Sequence, residues 1–96
     1  MGNPFATGTE LAILGMLRDE PAGMYGLELV RESGGRLARG TVYVLLGRLE
    51  EKGYVRSKVQ RNAEHPGLPR PRYALTAQGQ RVLEAAQLMG LPVARA

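Results

Sequence analysis

The 96-residue chain has no cysteine and no tryptophan, and it holds one histidine and one phenylalanine. Without cysteine there is no disulfide, no thiolate metal site and no cysteine nucleophile. Such a chain suits a reducing compartment, and a cytoplasmic location is expected. The one histidine, His65, stands beside Pro66 in a proline-rich stretch. A metal site needs several ligands and a general base needs a nucleophile to serve. Neither constellation exists here, so no catalytic or metal-binding residue is expected and the chain does not read as an enzyme. Asp19 and Glu20 adjoin a turn with no pocket signature around them, which leaves a glycosidase-like carboxylate pair unsupported. So few aromatics argue against RNA recognition by base stacking. No apolar run approaches membrane-spanning length, and the N-terminus lacks the basic and apolar regions of a signal sequence. No membrane partner is expected.

What the chain does have is charge, unevenly placed. Residues 1–35 hold two basic and five acidic side chains, whereas residues 36–72 hold nine basic and three acidic ones, a swing from −3 to +6. That asymmetry is the footprint of a polyanionic partner; a basic surface serving only solubility is the plainer alternative. At this length one domain is expected, with a modest buried fraction that a partner subunit would help to stabilise.

The organising stretch is Arg39 to Val55. Val42, Leu45, Leu46 and Leu49 recur at the spacing of a core-packed helix over Thr41–Lys52, and Gly53 occupies the left-handed position that ends it. Thr41, Tyr43, Val44 and Arg48 lie on its other face. Upstream, residues 1–8 read as a flexible arm, broken by Pro4 and Gly8. Thr9 caps a helix running to about Arg18 that is apolar almost all round and so requires cover on two sides, one from the domain core and the other from a partner subunit or the chain's own C-terminal helix. Turn chemistry at Asp19–Gly23 leads to a short helix from Tyr25 to Glu32, with Leu27, Leu29 and Val30 inward. After Gly53, residues 54–61 alternate like a strand, with Val55, Ser57 and Val59 on one face and Arg56, Lys58 and Gln60 on the other. Residues 62–71 form a proline-rich tip, and Arg72–Leu75 is a short return strand. Thr76 caps a last helix whose stripe is Val82, Leu83, Ala86 and Met89. Residues 90–96 read as a frayed tail, leaving 9–89 as the domain. The order is helix, helix, helix, hairpin, helix: a mainly α winged helix-turn-helix with a small β-hairpin (α-α-α-β-β-α).

The chain resembles the PadR family of bacterial transcriptional regulators. The matching residues are Leu11-Ala12-Ile13-Leu14-Gly15-Met16-Leu17, Tyr25-Gly26-Leu27-Glu28-Leu29, Gly40-Thr41-Val42-Tyr43 through Leu46, Arg48 to Val55, and Tyr73 to Gly79. Together they cover roughly residues 9–88 in the family's order. The resemblance implies a dimeric winged-helix repressor that binds a palindromic operator and is often released by a small molecule. Two departures stand out: Val44 replaces the proline that many members carry after the tyrosine, and the last helix is short. With no tryptophan, the aromatic drug-binding sandwich of some members is not supported.

The expected partner is double-stranded DNA. The candidate DNA-binding residues are Arg39, Gly40, Thr41, Tyr43, Val44 and Arg48 on the recognition helix, and Lys58, Arg61, Arg70 and Arg72 on the wing. A helix N-terminus suits a phosphate, although Thr41 serves equally as a cap or first-turn residue. The resemblance adds a hydroxyl contact for Tyr43; alternatively its ring packs on the wing. An exposed Val44 suits a thymine methyl, while Arg48 either reaches DNA or pairs with Glu51 at i+3. Pairing Arg56–Arg61 against Arg70–Tyr73 sets like charges close, which costs stability unless an anion neutralises them. The wing would then lie on backbone or probe the minor groove. The apolar surplus of the first and last helices, Leu11, Ile13, Met16, Leu83 and Met89, suggests the seam of a homodimer. A channel there could admit a small hydrophobic effector; no cofactor is expected. A winged-helix protein-interaction module without sequence-specific DNA binding is the alternative function.

Overall fold

The computed structural model describes residues 6–60 and 70–90. The readings of residues 1–5, of Arg61 and most of the wing tip with His65, and of residues 91–96 lie outside them. The first helix, α1, spans Gly8–Arg18. Its cap is Thr7, not Thr9. The Thr7 hydroxyl accepts from the Glu10 N–H (3.2 Å), and the Glu10 carboxylate accepts from the Thr7 N–H (2.8 Å). This reciprocal box satisfies two N-terminal donors at once, so Glu10 is fixed in place and 1% exposed. Ala6, within the segment expected to be a flexible arm, is also buried.

The segment after the turn is not simply helical. Met24–Tyr25 form a two-residue strand, β1, and the second helix, α2, starts one residue later at Gly26 and ends at Glu32. The Glu28 carboxylate accepts the Tyr25 N–H (2.8 Å), marking Tyr25 as the residue outside the helix. Leu29 is fully buried and Val30 packs on the core, but Leu27 is only half-buried and lies outside it. Buried Ser33 closes the connection: its hydroxyl donates to the Val30 carbonyl (2.7 Å) and accepts from the Leu37 N–H (3.2 Å). Gly34 and Gly35 both take positive φ to turn the chain toward the third helix.

That helix, α3, spans Arg39–Glu51 with Lys52 as its C-terminal cap. Two six-residue strands follow, β2 (Val55–Gln60) and β3 (Arg70–Leu75), then the last helix, α4 (Ala77–Leu88). Arg70 and Pro71, expected in the loop, belong to β3, where Pro71 faces Val59. Three antiparallel strands lie in the order β1-β3-β2, one more than a bare hairpin.

The core explains how an apolar helix finds cover within a single chain. α1 packs against α4, β3 and α2, which buries Leu11, Ile13, Leu14, Met16 and Leu17 to 5% exposure or less. Removing one such side chain from water is worth roughly 1.5–3 kcal/mol. Four of the five residues assigned to a dimer seam (Leu11, Ile13, Met16 and Leu83) are therefore covered by this chain's own elements, as in the alternative of an intrachain core, and their burial gives the seam no support. Only Met89 remains exposed, beside exposed Leu88.

Candidate nucleic-acid interface

α3 forms because its apolar positions fall on one side, where Val42, Leu45, Leu46 and Leu49 are buried. At about 100° per residue the opposite line carries Gly40, Val44, Gly47 and Glu51, flanked by Thr41 and Arg48 on one side and Tyr43 on the other. All seven are exposed, and Val44 shows 56% of its surface. Among the described residues, nothing beyond the helix's own adjoining backbone and chain neighbours lies within 4 Å of where a Cβ would stand on Gly40 or Gly47. The Arg48–Glu51 pair, one of the two readings of Arg48, is not formed among the described residues, so Arg48 projects without an ionic partner there.

The N-terminus of α3 is bare. It starts at Arg39, two residues ahead of the predicted Thr41, and Thr41 is a first-turn residue, with Ala38 at the cap making no side-chain hydrogen bond and no acid in the first turn. By contrast, α1 and α4 are capped by Thr7 and Thr76, and α2 by Glu28. The first intrahelical bond runs from the Val42 N–H to the Ala38 carbonyl (3.0 Å), so the N–H groups of Arg39, Gly40 and Thr41 have no intrahelical acceptor. Those donors, the dipole and the Arg39 guanidinium all favour an anion at this end.

The other end of α3 is locked. The Lys52 ammonium lies 3.0 and 3.1 Å from the two oxygens of the Glu10 carboxylate. Burial pushes the Glu10 carboxyl up, but the Thr7 N–H and the Lys52 ammonium together outweigh it and leave its pKa below the ordinary carboxylate value. Gly53 takes φ 80°. The Thr76 hydroxyl donates to the Gly53 carbonyl (2.6 Å) and accepts from the Gly79 N–H (3.0 Å), joining the end of α3 to the start of α4.

Tyr43 packs against the start of α2. Its ring lies against Gly26, where a Cβ would sit 2.6–2.8 Å from ring and hydroxyl atoms; the rest of the side chain stays at the surface, 39% exposed. Ser57 ties β2 to α3 through a 2.6 Å hydrogen bond to the Glu50 carboxylate. Tyr73, opposite Ser57, is buried on that same face, and burial first, then the Glu50 charge, raises the pKa of its phenol.

Strand alternation puts Arg56, Lys58, Arg70 and Arg72 on the other face of the sheet. Lys58 stands directly opposite Arg72, the like-charge pair expected from the sequence. Arg56, Lys58 and Arg70 are exposed. Arg72 is half-buried: its guanidinium lies 4.6 Å from the Tyr25 ring centroid and 3.5 Å from the Ala22 carbonyl. Reasoning from sequence placed Arg56 on the outer face of its strand without counting it among the DNA-binding candidates, and read no site role for Tyr25, Gly26 or the Glu10–Lys52 pair. Arg56 had a local signal in the alternation of β2, and Glu10 had one as a capping residue three after Thr7, whereas its pairing with Lys52 had none.

An exposed helix face beside a cationic hairpin defines a winged helix-turn-helix protein. The profile of the transcriptional regulator PadR-like family matches residues 13–85, and the chain belongs to that family of non-enzymatic DNA-binding regulators. It is similar to a PadR family transcription regulator from Clostridium difficile R20291, with 29% identity, 83% of each chain covered and a TM-score of 0.71. Another PadR family regulator, from Eggerthella lenta, shares 26% identity over 86% of this chain and 74% of its own, with a TM-score of 0.69. The PcaV transcriptional regulator of Streptomyces coelicolor, solved with its natural ligand, superposes at a TM-score of 0.74 with 25% identity, over 92% of this chain and 57% of its own. No curated protein matches the sequence. Among the described residues no helix is long and apolar enough to cross a membrane.

Proposed function

We propose that this DNA-binding regulator is a cytoplasmic repressor that binds a palindromic operator as a homodimer. In this reading α3 lies in the major groove of each half-site and the wing lies on the backbone or minor groove. The observation that carries it is the outer line of α3: uncapped N–H groups, bare Gly40 and Gly47, and exposed Val44 between Thr41, Tyr43 and Arg48. A helix so stripped on one side admits close approach to a groove. Val44 would meet a thymine methyl, Arg39 and Thr41 a phosphate, and Arg48 either a base edge or a phosphate. Arg56, Lys58 and Arg70 supply the wing's charge.

The homodimer reading now rests on the exposed end of α4, where Leu88 and Met89 stand in solvent, together with the family resemblance. A small hydrophobic effector at such a seam belongs to the same proposal; the Streptomyces regulator of similar fold was solved with a natural ligand of its own. Selection of bound sequences from random duplex tests the proposal. A two-fold symmetric consensus with half-sites about one helical turn apart supports it, and equal binding of all duplexes refutes it in favour of a protein-interaction module. A steep fall of affinity with salt should accompany specific binding, because each neutralised phosphate releases counterions.

A further inference from the structure

We propose that Arg72 is a positioning residue, and that Tyr25–Gly26 is the joint fixing the wing's angle against α3. The inference rests on the DNA-binding reading and sharpens it: Arg72 holds the hairpin, while phosphate contact falls to Arg56, Lys58 and Arg70. Three observations converge on Arg72. It is the direct cross-strand partner of Tyr25, so both side chains share a face, and its guanidinium stacks 4.6 Å from the ring centroid. Its Nε is buried and has no hydrogen-bond partner among the described residues, while its Nη1 points at the Ala22 carbonyl. Its stem runs over Gly23, which has φ 93° and where a Cβ would stand 2.8 Å from the Arg72 Cγ.

A planar guanidinium sealed at Nε and covered on one face is held by its own chain, whereas a phosphate contact needs a head free to reach outward. Lys58 directly opposite is exposed and supplies the comparison. The adjacent residue Gly26 carries the other half of the joint, because a Cβ there would press on the Tyr43 ring of α3 and displace it. Two consecutive residues thus seat the wing on one side and the recognition helix on the other.

The test uses the full chain and its variants R72Q, R72K, Y25L, Y25F, R72Q/Y25L and K58Q. Amide exchange without DNA is followed at Met24, Tyr25, Arg72 and Tyr73, and affinity for the selected operator duplex is measured across a salt series. R72Q, R72K and Y25L should each speed exchange at these amides and weaken operator binding about tenfold, the scale of a lost cation–π contact, while keeping the wild-type salt slope. The double variant should bind no worse than the weaker single one, since both break one interaction, and Y25F should behave as wild type. K58Q should instead reduce the slope by about one. The proposal is overturned if R72Q lowers the slope by about one while R72K and Y25L bind as wild type, or if exchange is unchanged in all three. Should Y25L fail to fold, R72K decides, because it keeps the charge and loses the planar stack. Should the wild type bind no duplex, the DNA-binding reading falls, and the exchange measurement still decides whether the joint exists.

Discussion

The two ends of α3 are built on opposite plans. At its C-terminal end, Lys52 meets a buried carboxylate, Gly53 is held by Thr76, and Gly79 presses so closely on Tyr54 that a Cβ would overlap the Tyr54 carbonyl oxygen. At its N-terminal end there is no side-chain cap, no first-turn acid and no neighbour against Gly40. The contrast teaches that rigidity and availability are divided along one helix. The ion pair and side-chain hydrogen bonds that fasten it sit at the far end, while the N–H groups of its first turn keep their hydrogen-bonding capacity for an outside partner.

The division is open to attack from both sides. The largest effect is expected at the locked end. G79A should cost about 3 kcal/mol or more, read as a fall in the thermal midpoint, because backbone and not a flexible side chain must move. E10A should cost about 2 kcal/mol by removing both the α1 capping box and the Lys52 partner. The same carboxyl sets a pH response. Its folded pKa lies below the ordinary value of 4.5, so its contribution is fully present at neutral pH and is lost as the pH falls from that value through the folded one. Acid titration of stability should show this loss in the wild type and lack it in E10Q; identical acid limbs in both would discount the Lys52–Glu10 pair.

At the free end the effects are smaller and appear in binding. V44A should leave the thermal midpoint unchanged, weaken operator binding by about 1 kcal/mol and relax preference at a single base pair; a uniform loss over all sequences would place Val44 away from the bases. G47A is the mildest and most pointed. Replacing an exposed mid-helix glycine with no neighbours should raise stability by about 0.5–1 kcal/mol while lowering operator affinity. A variant both more stable and equally active would show that the outer line does not approach DNA closely.

Much of this was legible in the residues alone. Periodicity at Val42, Leu45, Leu46 and Leu49 marked α3 and its buried side, and alternation over Val55–Val59 marked the faces of β2, because both patterns are local. Features that depend on distant partners were not. Met24–Tyr25 is too short to show a period, and it is a strand only because β3 lies beside it. Ile13 and Met16 looked surplus because sequence cannot show that α4, β3 and α2 all pack on α1. Arg72 read as one more wing cation, since nothing near it in the chain announces Tyr25 forty-seven positions earlier. Thr7 was a missed local signal: the nearer Thr9 drew attention from the residue three before Glu10.

One consequence of the strand order concerns self-association. With β3 in the middle, β1 and β2 are the margins of the sheet, and a margin offers unpaired backbone groups to any passing strand. β1 offers only two residues, too few to template a neighbour. β2 offers six, and it is there that Arg56 and Lys58 project. The cations assigned to the nucleic acid therefore also repel a second copy approaching strand to strand, so neutralising both should be felt first as aggregation in the absence of DNA.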